Sequence, residues 1–238
     1  MSEHIVRSYD KELDELGRRI AEMGGIAEKM VVEAMDALGN VDLALAQQVI
    51  NADSRLDAIQ REIEEQAVLT IARRQPMAVD LREIIGAIRI AGDLERVGDL
   101  AKNIAKRTVT IGAEARLPRA LVGLKHMNEL ATELMKDVLD AYAQRDLERA
   151  QAVWARDVEL DALEDSVFRD LLTHMMEDPR NISFCAHLLF CSKNIERIGD
   201  HATNIAETIY YLVTGGTLPA DRPKGRPDLA APFGTVVT

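Results

Sequence analysis

Residues 93–105 read DLERVGDLAKNIA, and residues 194–206 read NIERIGDHATNIA. Eight of the thirteen positions are identical, and two more exchange one branched aliphatic for another. Glu95 and Glu196, Asp99 and Asp200, and Asn103 and Asn204 all stand 101 positions apart. Such a repeat constrains the fold more than any composition figure, because the chain has to build the same supersecondary unit twice. The likeness extends upstream. Asp42-Leu43 matches Asp146-Leu147, and Asp53-x-x-Leu56-Asp57 matches Asp157-x-x-Leu160-Asp161, both at a separation of 104. Pro76 and Pro179 correspond at 103, so short deletions separate the matched blocks.

Helical periodicity runs through both copies and stops at a few punctuating residues. Gly39-Asn40, with Asn40 or Asp42 as the next cap, marks the first break, and Gln75-Pro76 the second. The others fall at Gly112 to Pro118, at Gln144-Arg145-Asp146 and at Glu177-Asp178-Pro179. These breaks predict helices near 4–38, 42–74, 77–112, 117–143, 146–176 and 180–213. Only 4% of the residues are aromatic, and Leu, Ala, Glu and Arg abound, a helical vocabulary. Short connections between long helices imply antiparallel neighbours. The expected fold is therefore all-α: two pseudo-symmetric three-helix bundles, six helices by internal duplication. The first bundle takes residues 1–114 and the second 115–214. Residues 215–238, rich in Gly and Pro without an apolar period, are expected to form a disordered tail.

On a helix the repeated motif separates into two faces. Leu94, Val97, Ala101 and Ile104 form an apolar stripe, as do Ile195, Ile198, Ala202 and Ile205. Glu95, Asp99 and Asn103, and Glu196, Asp200 and Asn204, recur every four residues on the opposite, outward face. Carboxylates at i and i+4 repel by a few tenths of a kcal/mol, yet both copies keep the arrangement. Two carboxylates one turn apart can grip a divalent cation, with Asn adding a neutral oxygen. These six residues are the candidate metal ligands. Asp53, Asp57, Asp157 and Asp161 on the second helices form a secondary set, whose alternative role is as charges near a helix N-terminus. A plainer account of the same face is a solvated ridge, in which Arg96 and Arg197 pair with Asp99 and Asp200. Gly98 and Gly199, each costing about 1 kcal/mol in a helix interior, read as places of close packing.

The net charge of −11 speaks against a nucleic-acid groove. No apolar run approaches the ~20 residues of a membrane span, and the charged N-terminus is unlike a signal peptide. The chain is accordingly expected in the cytoplasm, at most peripheral to a membrane. Cys185 and Cys191 read as small buried hydrophobes in a reducing compartment. The five histidines form no H-x-x-x-H pair; His201, beside Asp200, is the one that enters consideration as an added ligand, although its counterpart is Leu100. No organic cofactor motif is present, neither a P-loop nor a nucleophile elbow.

The two copies of E-R-x-G-D-x-A-x-N-I-A, at Glu95–Ala105 and Glu196–Ala206, each closing a three-helix unit, resemble the PhoU family of phosphate-uptake regulators. The likeness covers residues from about 5 to 213 and leaves the tail outside. It implies a six-helix pseudo-dyad, commonly a homodimer, with multinuclear iron or zinc, or another divalent cation, on the motif surface in some members. It further implies a non-enzymatic, negative regulator of phosphate uptake and of the phosphate-starvation response. The partners would be the ATPase subunit of the phosphate ABC transporter and a phosphate-sensing histidine kinase. Asp93 corresponds to Asn194 and Leu100 to His201, so the two sites need not be equivalent. Two other readings compete. A metal-independent helical scaffold would use the acidic ridge for docking alone, and a di-iron oxidase would require E-x-x-H pairs, which the chain lacks.

Overall fold

Each periodic segment winds into a helix. The computed structural model describes the backbone of residues 2–112 and 118–218 and the side chains of 11–112 and 120–218. The helices are α1 (Ser2–Asn40), α2 (Leu43–Arg74), α3 (Val79–Ile111), α4 (Pro118–Gln144), α5 (Leu147–Glu177) and α6 (Ile182–Thr214), with a 3-10 turn over Pro179–Asn181. Among the described residues there is no strand. The boundary expected between 114 and 115 lies outside the described residues, as does the expected tail from 219 onward; Gly215 to Leu218 leave α6 without forming a helix.

The turns repeat as faithfully as the helices. Asp42 caps α2, its carboxylate accepting from the amides of Ala44 and Leu45 at 3.0 Å. Asp146 caps α5 by accepting from the Arg149 amide at 3.0 Å. The chain reverses not at Gly39-Asn40, which complete α1, but at Val41, whose φ of 55° is matched by Arg145 at 55°. The Asp42 amide donates back to the Ala37 carbonyl, and the Asp146 amide to that of Ala141. This is a Schellman-type ending built without glycine. The second break also differs in detail: α3 starts at Val79 and α6 at Ile182, two residues beyond expectation. Pro76 forces the preceding Gln75 out of the helical region, to a φ of 50°, while Pro179 opens the 3-10 turn, whose amide at Arg180 is capped by Asp178.

Within each half the three helices pack on one another, and the halves meet through α3 against α6 and α1 against α4. Exchanging α1 with α4, α2 with α5 and α3 with α6 leaves this packing scheme unchanged, as a twofold relation requires. The two three-helix bundles share their interior, however. One continuous core runs through both, because α3 and α6 bury more than the single expected stripe. Besides Leu94, Val97, Ala101 and Ile104, α3 buries Gly98, Leu100 and Ala105; α6 likewise buries Gly199, Thr203 and Ala206 beyond its stripe. Leu56 and Leu160 fill the glycine positions. A Cβ on Gly98 would lie 2.7 Å from Leu56 Cδ2, and one on Gly199 would overlap Leu160. Both cysteines are buried and unbridged, and burial pushes the Cys191 thiol up to about 12.

Candidate functional site

With α3 held on three sides, its polar face is narrow. The acidic ridge does not stand on an open outer surface. Glu95 and Glu196 are only 19% and 13% exposed, and Asp99 is 32% exposed. The reason is the glycine beside each acid: it lets α2 or α5 approach so closely that the neighbouring carboxylates are drawn into the seam. Asn103 and Asn204, one turn further on, remain exposed.

In the first half α2 brings Asp53 and Asp57 to the motif. Asp53 is buried and stands almost three turns into α2, so it is not a helix N-terminal charge. Lys102 joins it to the ridge. Its Nζ donates to Asp53 Oδ2 at 2.6 Å and also to Asp99 Oδ1. Burial of Glu95, with Asp99 as the next contributor and Asp57 and Asp53 adding to it, raises the Glu95 carboxyl above the ordinary glutamate range against the pull of Arg96. Arg96 lies along the solvent edge, 3.6 Å from Glu95 and 3.8 Å from Asp99.

The second half keeps the carboxylates and changes the counter-charge. Position 203, equivalent to Lys102, is threonine. Its hydroxyl is shared between Asp157 Oδ1 at 3.2 Å and the Gly199 carbonyl at 3.1 Å. Lys193 Nζ donates to Glu196 Oε1 at 2.6 Å from a more exposed position, while Glu196 Oε2 is buried with no hydrogen-bond partner among the described residues. Glu164 is a buried acid that the spacing of the repeat does not single out, since Gln60 stands in its place in the first half. Asp161 is half-buried beside it on α5.

Across the seam, the other two unlike pairs of the motif meet. His201 Nδ1 lies 2.9 Å from Asp93 Oδ1, and the Asn204 amide donates to the same oxygen at 3.3 Å. His201 therefore ties α6 to α3 and does not turn toward Asp200 and the carboxylates of its own half. The tie floors a cleft of about 840 Å³ between the halves, walled by Glu95, Arg96, Trp154, Glu207 and Tyr211. Trp154 Nε1 donates to Glu207 Oε1 at 3.2 Å, and the Arg89 guanidinium sits 5.2 Å from the centre of the Tyr211 ring. Mixed charge makes this cleft unsuited to a simple anion.

A divalent cation needs oxygen donors that converge without a competing positive charge. Among the described residues no three His, Cys, Asp or Glu side chains are already grouped as ligands. The first half does not fit, because Lys102 stands between Asp53 and Asp99. The second half also has an ammonium, Lys193 on Glu196 Oε1, but from the solvent side. It fits better, because position 203, between its α5 and α6 carboxylates, holds no cation, and the buried Glu196 Oε2 lacks a partner among the described residues.

Comparison with known proteins gives a consistent result. The PhoU domain family matches residues 20–108 and 124–209. The chain is 58% identical, over 98% of its own length and 98% of the relative's, to the phosphate-specific transport system accessory protein PhoU homolog of Rhizobium meliloti (strain 1021). It is 50% identical to the homolog of the same name from Caulobacter vibrioides (strain NA1000 / CB15N), over 94% of this chain and 97% of that one. Its structure is similar to the crystal structure of PhoU from Pseudomonas aeruginosa, with a TM-score of 0.84 and 39% identity over 87% of this chain and 100% of that one. The phosphate transport system regulatory protein PhoU from Streptococcus pneumoniae has a TM-score of 0.81 at 26% identity, over 89% and 99%.

Proposed function

The chain belongs to the PhoU family, and on that premise we propose that it is a non-enzymatic negative regulator of phosphate uptake and of the phosphate-starvation response. It works as a cytoplasmic adaptor, a homodimer that joins the ATPase subunit of the phosphate ABC transporter to a phosphate-sensing histidine kinase. The observation that carries the reading is the doubled carboxylate ridge on a rigid helical frame, in a chain 58% identical to a transport-system accessory protein along 98% of its length. No helix among the described residues is long and apolar enough to cross a membrane, so attachment to a transporter would be made from the surface. The net charge of −11 favours basic partner surfaces and makes association fall with salt.

Within this reading the second half is the place for a divalent cation such as iron or zinc. Glu196 and Asp200, with Asp157 and Asp161 from α5, would hold it. When bound, the ion supplies fixed positive charge that draws the carboxylates together and turns the ridge into a stiffer docking edge. Asn103 and Asn204 stand at the rim of the two ridges, placed to meet a partner. The test is co-purification of the untagged chain with the transporter ATPase and the kinase. Association at low salt that is lost at high salt is expected; absence of both partners at low salt, with phosphate present and with it removed, contradicts the proposal.

A further inference from the structure

Thirteen matched positions in the repeated motif contain three unlike pairs: Asp93 and Asn194, Leu100 and His201, Lys102 and Thr203. The first two pairs differ at the seam between halves, where Asp93 meets His201. The third differs inside the carboxylate sites themselves. Lys102 is 19% exposed and reaches two carboxylates from different helices, Asp53 of α2 and Asp99 of α3. At the same place in the other half, the Thr203 hydroxyl satisfies one oxygen of Asp157 and adds no charge.

We infer that Lys102 is a built-in cation: its ammonium takes the position from which a metal ion would bridge Asp53 and Asp99, so the first half is closed to metal by its own sequence. A lysine ammonium is a compact point charge with three donors, suited to joining two carboxylates where a hard cation would otherwise sit. The consequence is a permanent asymmetry. The first half always carries a covalently attached cation between its α2 and α3 carboxylates. The second half has threonine at that position, and its lysine, Lys193, reaches only Glu196 from a more exposed place, so the gap between its α5 and α6 carboxylates is left to what the solution supplies. In a duplicated protein this separates a constitutive half from a conditional one. The inference rests on the Lys102 geometry and is independent of whether the second half holds metal.

The test uses the full-length, untagged chain stripped with chelator and titrated with Mn²⁺. Bound ions are counted by electron paramagnetic resonance and native mass spectrometry, and Tm is measured with and without the ion. Two variants remove the ammonium: Lys102→Thr, which copies the second half, and Lys102→Gln, which keeps half of the methylene stem with an uncharged donor at its end and guards against a folding failure of the first. Each is expected to take up one more Mn²⁺ per chain than the parent, to melt lower than the parent in chelator, and to recover on adding Mn²⁺. Adding Asp99→Asn to either should abolish the extra ion. A folded variant that binds no more Mn²⁺ than the parent overturns the inference, and so does a parent chain that loses an ion on replacement of Glu95 and Asp99 by alanine. A parent that binds no Mn²⁺ while the variants do would support the role of Lys102 and remove the metal reading of the second half.

Discussion

Glu95 illustrates how one side chain's surroundings become a measurable property. Its carboxyl is pushed up first by burial and then by Asp99, so the folded chain holds that proton more tightly than the unfolded chain does. The unfolded group titrates at the ordinary glutamate value of 4.5. Stability therefore declines as pH rises from that value through the raised folded value, and above it the ionised group is a continuing cost. Glu95→Gln should melt higher than the parent at pH 7, and the difference should disappear below pH 4.5, as thermal melts across pH will show. Gly199 makes a second case. A methyl there overlaps Leu160, which is buried, and overpacking typically costs about 1–3 kcal/mol, against about 1 kcal/mol gained in helix propensity. Gly199→Ala should be destabilised by up to about 2 kcal/mol in denaturant titration. Combining it with Leu160→Ala should cost less than the two separate losses together, because the pair shares one contact.

Among the elements, the short turns that reverse the chain are the most exposed to test. Asp42 and Asp146 occupy equivalent caps, and removing either carboxylate should cost about 1 kcal/mol, measured as a fall in denaturation midpoint without change in slope. Val41 holds a left-handed backbone that costs a non-glycine residue about 1–2 kcal/mol, partly offset in glycine by the larger entropy it loses on folding. Val41→Gly should thus stabilise the chain by about 0.5–1 kcal/mol. The helices were legible in the sequence because apolar period and duplication agree over long windows, and their ends fell within a few residues. The reversal at Val41 was not, since a β-branched residue in the left-handed region is imposed by the Asp42-to-Ala37 hydrogen bond and the helices on either side. The packing role of Gly98 and Gly199 was legible; that it draws the acids inward was not. A stripe of four apolar residues predicts one buried face, whereas α3 contacts α1, α2 and α6 at once.

At the level of the whole molecule, two halves joined through one core make a frame on which equivalent sites differ by single residues. The ridge acids Glu95, Asp99, Glu196 and Asp200 could be named from spacing alone, and the structure sets Asp53 beside the first pair. The meaning of the unlike pairs needed three dimensions: Lys102 matters because α2 delivers Asp53 to it, and His201 matters because α6 lies against α3. Since the ridge is half-buried but outside the apolar stripe, Glu196→Ala with Asp200→Ala should leave far-UV helicity unchanged while weakening any divalent-ion binding. The proposal that this chain silences the phosphate-starvation response is tested most directly in cells lacking it. Transcription of phosphate-scavenging genes, measured in phosphate-rich medium, should be constitutively high without the chain and return to its repressed level when the chain is restored; a strain without it that keeps those genes repressed would contradict the account.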